Sequence, residues 1–102
     1  MKKNGILIHA NDQVITLALA VKAGETVFYA REGTDTFLEA REDIPQYHKM
    51  AVRDIRKGEK IRKYGEEIGE ATADIPSGKW VHVHNLQSSC MASEQQRQGE
   101  KM

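Results

Sequence analysis

The stretch Asp54-Ile55-Arg56-Lys57-Gly58-Glu59-Lys60-Ile61 decides the fold, because it recurs as Asp74-Ile75-Pro76-Ser77-Gly78-Lys79-Trp80-Val81. The shared pattern is Asp-Ile, two residues that suit a turn, Gly, two polar or aromatic residues and a β-branched residue. A third copy, Val21-Lys22-Ala23-Gly24-Glu25-Thr26-Val27, lacks the leading Asp. Glycine reaches the positive φ that tight turns demand, so each copy predicts a strand–turn–strand unit whose flanking Ile and Val face one core.

The rest of the chain also favours short strands over helices. Thr26–Ala30 and Thr36–Ala40 are rich in β-formers, and Glu32-Gly33-Thr34-Asp35 between them is typical of a hairpin tip. Asp12–Val21 fits either a strand or one or two helical turns, because Val, Ile and Thr weaken its helical spacing. The sequence therefore predicts a mostly β domain of short strands and turns with at most short helical turns.

Length and composition limit the possible classes of protein. The 102 residues provide for one core, and 15 basic residues balance 15 acidic ones, which argues against a general nucleic-acid binder. The chain has no apolar run of the roughly 20 residues that a membrane helix needs, so we expect no membrane partner. The single Cys90 cannot form an internal disulfide, which is typical of a cytoplasmic protein.

The chain divides into a domain over residues 1–87 and a polar tail over residues 88–102. Beyond Leu86 there is no Ile, Leu, Val or aromatic residue. Such a segment has no face to bury, so we expect a mobile tail or one that orders only on a partner. Short edge strands also make a homo-oligomer plausible.

The histidines are the first candidates for chemistry. In Val81-His82-Val83-His84 the residues alternate, so on a strand both imidazoles would share one face and could bind a metal or an anion. The alternative is an exposed strand face that happens to carry two histidines.

A second candidate cluster is His48-Lys49, which could bind a carboxylate or supply an acid–base group; an ordinary polar loop is the alternative. The segment Arg53–Lys63 holds six basic residues against two acidic ones. It could steer an acidic ligand, or it could protect a sheet edge from aggregation. None of the sequence motifs of a complete enzyme active site is present.

Several of these residues together resemble a known family, the small N-terminal domain of altronate and galactarate dehydratases. The sulfolactate sulfo-lyase small subunit is similar. The matching positions run from about Ile6 to Asn85: Ile8-His9, Asp12, Val14, His48-Lys49, Ala51, Asp54-Ile55, Gly58-Glu59, Lys63-Tyr64-Gly65, Ile68-Gly69, Ala71-Thr72, Asp74-Ile75, Gly78, Val81-His82 and His84-Asn85.

The resemblance implies a SAF domain with a β-clip fold, one component of a lyase that removes water or sulfite from a hydroxy acid. Members act beside a much larger catalytic subunit or domain, and the dehydratases use a divalent metal, which implies Fe²⁺ or alternatively Mn²⁺. The implied substrate is a sugar acid, or sulfolactate in the alternative, and the isolated chain should be inactive. A further alternative is a SAF module that binds a ligand or a protein without taking part in catalysis.

With the family in view, the candidate residues receive roles. His48, His82 and His84 become catalytic candidates, His82 and His84 candidate metal ligands, and Lys49 and Asn85 candidate substrate-binding residues. Two positions depart from the family pattern: Gln13 stands where Asn is common, and Tyr47 where Gly usually precedes His-Lys. Because Tyr47 replaces a glycine, the sequence does not predict whether that loop keeps the backbone conformation of the family.

Overall fold

The computed structural model describes residues 3–88, and every regular element among them is a β-strand. The prediction of a mostly β domain is confirmed, and Asp12–Val21 contributes a strand. The strands are β1 (Gly5–Ile6), β2 (Val14–Leu17), β3 (Thr26–Arg31), β4 (Thr34–Glu39), β5 (Lys49–Ala51), β6 (Lys60–Lys63), β7 (Glu66–Ala71), β8 (Trp80–Val81) and β9 (Leu86–Ser88).

The strands form three antiparallel sheets. The first has the order β1-β2-β5-β8, so its central pair joins strands that lie far apart in the sequence. The second is the predicted β3–β4 hairpin, whose tip is Glu32-Gly33, with φ of 49° and 80°; Thr34 and Asp35, expected at the tip, belong to β4. The third has the order β6-β7-β9. Residues 89–102 lie outside the described residues, and with them nearly all of the predicted tail.

The turn repeat predicted from the sequence occurs four times, once more than expected. The additional copy begins at Ile44. The β-branched residues that open the copies pair by two backbone bridges, Val21 with Ile44 and Ile55 with Ile75. Each bridge has both hydrogen bonds, at 2.7–3.0 Å. The four copies thus form two paired units, one in each half of the chain.

The aspartate that leads three of the copies fixes the turn of the paired copy. The Asp54 carboxylate accepts the Ser77 N–H at 2.9 Å, and the Asp74 carboxylate accepts the Lys57 N–H at 2.8 Å. In the other half of the chain, the carboxylate of Asp43 accepts the Ala23 N–H at 2.9 Å. The aspartates of the pattern are therefore turn residues.

The fourth copy was not predicted from the sequence because Tyr47 stands where the other three copies have the turn glycine. Its φ is 70°, against 94° for Gly24 and 89° for Gly58 and Gly78. The Tyr47 N–H donates to the Leu17 carbonyl at 2.8 Å, as that of Gly78 does to Ala51. The loop therefore keeps the backbone of the other turn repeats, at the cost of a left-handed conformation in a residue with a Cβ.

We expect Tyr47→Gly to raise the free energy of unfolding by about 1 kcal/mol, because it relieves the left-handed strain. Little packing would be lost, since Tyr47 is 71% exposed. Urea unfolding measures the change. Gly58→Ala is the reciprocal control: a Cβ there meets nothing within 4 Å, so about the same free energy should be lost through strain alone. A loss of stability in Tyr47→Gly would contradict this account.

The two central strands, β2 and β5, each contribute residues to both hydrophobic clusters. Successive strand residues point to opposite faces, so Ile15 of β2 and Met50 of β5 enter the first cluster while Val14 and Ala51 enter the second. The remaining members of both clusters come largely from the turn repeats and hairpins. The pairing of β2 with β5 therefore holds the two halves together and fixes the position of the loops that follow them.

The described part of the chain contains no helix that could cross a lipid bilayer.

Candidate functional site

The candidate site forms where β5 and β8 meet. Lys49 opens β5 and lies opposite Val81, while Met50 lies opposite Trp80. The fourth turn repeat ends just before Lys49, so His48 emerges beside the end of β8. The sheet register thus brings the two sequence clusters, His48-Lys49 and the His-x-His segment, to one place.

Trp80 organises the three imidazoles. The His82 ring stacks on the indole at 5.3 Å between centroids and an interplanar angle of 10°. The rings of His48 and His84 each lie 5.4 Å from the indole, and those of His48 and His82 are 4.8 Å apart. The predicted catalytic residues His48, His82 and His84 are therefore brought together on one side chain, and we call this set the histidine cluster.

A hydrogen bond from the indole sets the proton position on His48. Trp80 Nε1 donates to His48 Nδ1 at 3.1 Å. A ring nitrogen that accepts carries no proton, so neutral His48 holds its proton on Nε2. His48 is thereby oriented as a hydrogen-bond donor at its other nitrogen.

The prediction that His82 and His84 lie on one face of a strand is wrong. Strand β8 ends at Val81, and Val83 is 78% exposed where the strand prediction would have placed it with buried Val81. Residues 82–85 form a turn instead, closed by a hydrogen bond from the Asn85 N–H to the His82 carbonyl at 3.0 Å. The histidines converge because both contact Trp80.

Asn85 shapes this turn. Its side-chain oxygen accepts the His82 N–H at 2.9 Å, and its Nδ2 donates to the Trp80 carbonyl at 2.8 Å. Asn85 is only 9% exposed. The geometry gives it a role in holding the histidine cluster, and its predicted contact with substrate stays a prediction.

The electrostatics favour the neutral form of His82. Burial lowers its pKa below the ordinary value, and the nearby groups His48, Lys49 and His84 lower it further. An imidazole that stays neutral near pH 7 can accept a proton or bind a metal ion.

A cleft of about 360 Å³ extends from the histidine cluster. Lys49 and Lys63 line it beside His82, with a wall of Tyr64, Ile68, Val83, Leu86 and Ser88. Lys49 is half-buried, and its pKa is lowered first by burial and then by the positive charge of Lys63. The candidate substrate-binding lysine therefore lines an open cleft together with the candidate catalytic residue His82.

The sequence profile of the altronate/galactarate dehydratase SAF domain matches residues 3–89. The chain belongs to this family. Altronate dehydratase of Escherichia coli is 41% identical over 92 residues, which cover 90% of this chain and 18% of that protein. Altronate dehydratase of Bacillus subtilis is 33% identical over 87 residues, covering 85% of this chain and 17% of that protein.

A shorter relative is the (2R)-sulfolactate sulfo-lyase subunit alpha of Chromohalobacter salexigens. It is 30% identical over 86 residues, covering 80% of this chain and 92% of the subunit. The SAF domain thus spans less than a fifth of the two dehydratases and nearly the whole of the sulfo-lyase subunit. The resemblance stated from the sequence is confirmed.

Two residues of the SAF domain that matter at the site were missed from the sequence. Trp80 was recognised only as a member of the turn repeat, although it is the one tryptophan of the chain and directly precedes the histidine segment. Lys63 belongs to the basic stretch and to the Lys63-Tyr64-Gly65 part of the family resemblance, but neither gave it a role at the site. Strands β5 and β6 belong to different sheets, so only the packing of the folded chain brings Lys63 and Lys49 to one cleft.

The donor set for a metal ion is incomplete within the described SAF domain. Over residues 3–88, no three His, Cys, Asp or Glu side chains come together in a way that could hold a metal ion. His82 and His84 could give two imidazole ligands, which suit Fe²⁺ and other divalent transition metals. Further ligands would have to come from outside these residues, and the predicted metal stays a prediction.

Proposed function

We propose that this SAF domain supplies part of the active site of a hydroxy-acid lyase of the altronate/galactarate dehydratase type. The observation that carries the proposal is the convergence of three imidazoles and a half-buried lysine at the end of one strand pair. The similarity to two altronate dehydratases supplies the reaction class. The larger remainder of those relatives supports a larger catalytic partner, either a further domain or a separate subunit.

Elimination of water from a hydroxy acid requires removal of the proton next to the carboxylate and assistance to the departing hydroxyl. Lys49 pairs with the substrate carboxylate and makes the adjacent proton more acidic. A neutral His82 with a free ring nitrogen is suited to accept a proton, and His48 to donate a hydrogen bond from Nε2 to the departing hydroxyl. Trp80 and Asn85 hold these groups in place.

A divalent metal, Fe²⁺ or Mn²⁺, belongs to the proposal as a group shared with the larger partner. His82 and His84 would be its ligands from this chain, and with His82 bound to the metal the proton would be accepted by a group of the larger partner. Such an ion polarises the substrate oxygens and assists departure of the hydroxyl.

A second candidate is the sulfo-lyase reaction, in which sulfite leaves instead of water. The similarity over 92% of the sulfolactate sulfo-lyase subunit alpha favours it. Because both reactions eliminate a group from a hydroxy acid, the same lysine and imidazoles serve either one.

The test is a chimaera in which this chain replaces the matching N-terminal region of Escherichia coli altronate dehydratase. We expect the chimaera to dehydrate altronate, and His48→Ala or His82→Ala to lower kcat by about 100-fold or more, as loss of an acid–base group does. Lys49→Met should raise KM as well, because it removes the carboxylate partner.

Lys57→Ala is the control, since Lys57 is an exposed residue of a distant turn repeat. Its turnover should equal that of the parent chimaera. If the folded chimaera turns over normally without either imidazole, the histidine cluster is not catalytic. A separate assay combines the original chain with a sulfo-lyase large subunit. If this complex turns over sulfolactate and no sugar acid, the second candidate is correct.

A further inference from the structure

The basic stretch Arg53–Lys63 separates into neutralised and unneutralised cations. Arg53 pairs with Glu59 at 3.0 Å, and Lys60 pairs with Glu70 at 2.9 Å and with Glu67 at 3.8 Å. These contacts cap a turn and tie β6 to β7. Lys63, at the end of β6, has no such partner among the carboxylates of residues 3–88.

Lys63 instead faces the same cleft as Lys49. Its ammonium lies 4.8 Å from the centroid of the Tyr64 ring, and the positive charge is close enough to Lys49 to affect its ionisation. Lys49 likewise has no ion-pair partner among the described carboxylates. Two like charges in a partly enclosed space repel each other and lose hydration, so the fold maintains an arrangement that an anion would stabilise.

The remaining lining limits what the anion can be. The volume of about 360 Å³ lies at the small end of ligand-binding cavities, and Ile68, Val83 and Leu86 form apolar walls. His82 belongs both to this cleft and to the histidine cluster. A small acid held by the lysines would therefore place its carbon chain beside the His82 imidazole.

We infer that Lys49 and Lys63 form a two-cation cleft that receives a small hydroxy acid carrying two anionic groups. This inference rests on the proposed function and narrows its preferred substrate class: a dicarboxylate, or an acid with one carboxylate and one sulfonate, is preferred over a sugar acid with a single carboxylate, which binds more weakly. Each ammonium takes one acid group or shares an oxygen of the nearer one, and the bound dianion neutralises the cleft.

The experiment is calorimetric titration of the full chain at low ionic strength with two six-carbon acids, galactarate (two carboxylates) and galactonate (one). We expect galactarate to bind at least about tenfold more tightly, the value of one additional charge-assisted contact. Lys63→Gln should reduce the affinity for galactarate to that for galactonate and change the latter by less than about twofold. Lys49→Gln should lower the affinity for both acids.

Lys60→Gln is the matched control, because it removes the same charge from the same strand at a lysine already paired with carboxylates. It should change neither affinity by more than about twofold. The inference is overturned if the folded parent chain binds neither acid, if it binds both equally, or if Lys60→Gln acts as strongly as Lys63→Gln. Proton NMR spectra of each variant verify that it is folded.

The results distinguish a failure of the two-cation cleft from a failure of the proposed lyase function. Preference for galactarate in the chain combined with an inactive chimaera would uphold the two-cation cleft and contradict the proposed function. Equal affinities combined with an active, histidine-dependent chimaera would do the reverse.

Discussion

Replacing Asp12 with alanine is expected to lower the free energy of unfolding by about 4 kcal/mol. Asp12 is 2% exposed, and its carboxylate accepts three backbone N–H groups. The donors are Tyr64 at 2.8 Å, Gly65 at 2.9 Å and His9 at 3.2 Å. Hydrogen bonds to a charged group contribute about 1.5–3 kcal/mol each, and alanine would leave all three donors without this acceptor.

The position of Asp12 explains why its loss should reach the site. The residue joins the turn after β1 to the Tyr64-Gly65 turn between β6 and β7, two segments far apart in the sequence. Tyr64 lines the cleft, and Lys63 precedes it. Loss of Asp12 should therefore loosen the end of β6 as well as weaken the fold.

Two variants control for this prediction. Asp12→Asn keeps one acceptor oxygen and should lose about half as much stability. Asp35→Ala removes an exposed aspartate that pairs with Lys3 at 3.1 Å, and should cost less than about 1 kcal/mol. Urea unfolding gives all three values. A loss of 1 kcal/mol or less in Asp12→Ala would show that water or neighbouring groups replace the carboxylate.

The sequence was sufficient to predict the strands because local signals specify them. Glycines at turn positions and β-branched residues around them predicted the repeats at Val21, Ile55 and Ile75, and Glu32-Gly33 predicted a hairpin. The fourth repeat was missed because Tyr47 adopts the glycine conformation without being glycine. Only the backbone hydrogen bonds, which the surrounding structure imposes, reveal that copy.

The pairing of strands could not be read from the sequence. Strand β2 lies between β1 and β5, and β5 lies between β2 and β8, so the central sheet depends on contacts between distant segments. Those contacts are decided by which apolar residues fill the two hydrophobic clusters, a property of the whole chain. No local pattern contains this information.

The candidate site was predicted in its residues and not in its geometry. The family resemblance named His48, His82 and His84, and the structure places all three rings beside Trp80, while their catalytic roles stay predictions. Alternation in Val81–His84 suggested a strand, whereas Asn85 binds back to the loop and ends β8 at Val81. A side chain that takes up backbone hydrogen bonds can therefore prevent a strand, even where apolar and polar residues alternate as they do in a strand.

Gly69→Ala is the second prediction with a large expected effect, a loss of about 3 kcal/mol. Gly69 is a buried residue of β7 paired with Ser88 of β9. A Cβ at this position would overlap the carbonyl oxygen of Gln87 and lie 2.7 Å from Leu86 Cδ1. The overlap with backbone cannot be relieved by a side-chain rotation, so β9 must move away from β7.

That movement should disturb the candidate site along with the fold. Strand β9 begins immediately after the 82–85 turn, and Leu86 forms part of the cleft wall. We expect Gly69→Ala to displace His82 from the Trp80 ring, and fluorescence of the single tryptophan reports on that contact. Affinity for galactarate should fall with it.

Gly24→Ala is the control that distinguishes this steric overlap from the backbone strain caused by replacing a glycine at positive φ. Gly24 has a φ of 94° and nothing within 4 Å of an added Cβ, so its substitution costs about 1 kcal/mol of backbone strain and no displacement. Its tryptophan fluorescence should match that of the parent chain. If Gly69→Ala were no more destabilising than Gly24→Ala and left the fluorescence unchanged, the close approach of β7 to β9 would not be what positions the histidine turn. The larger loss and the altered fluorescence should instead occur together, because one strand carries both the core contact and the end of that turn.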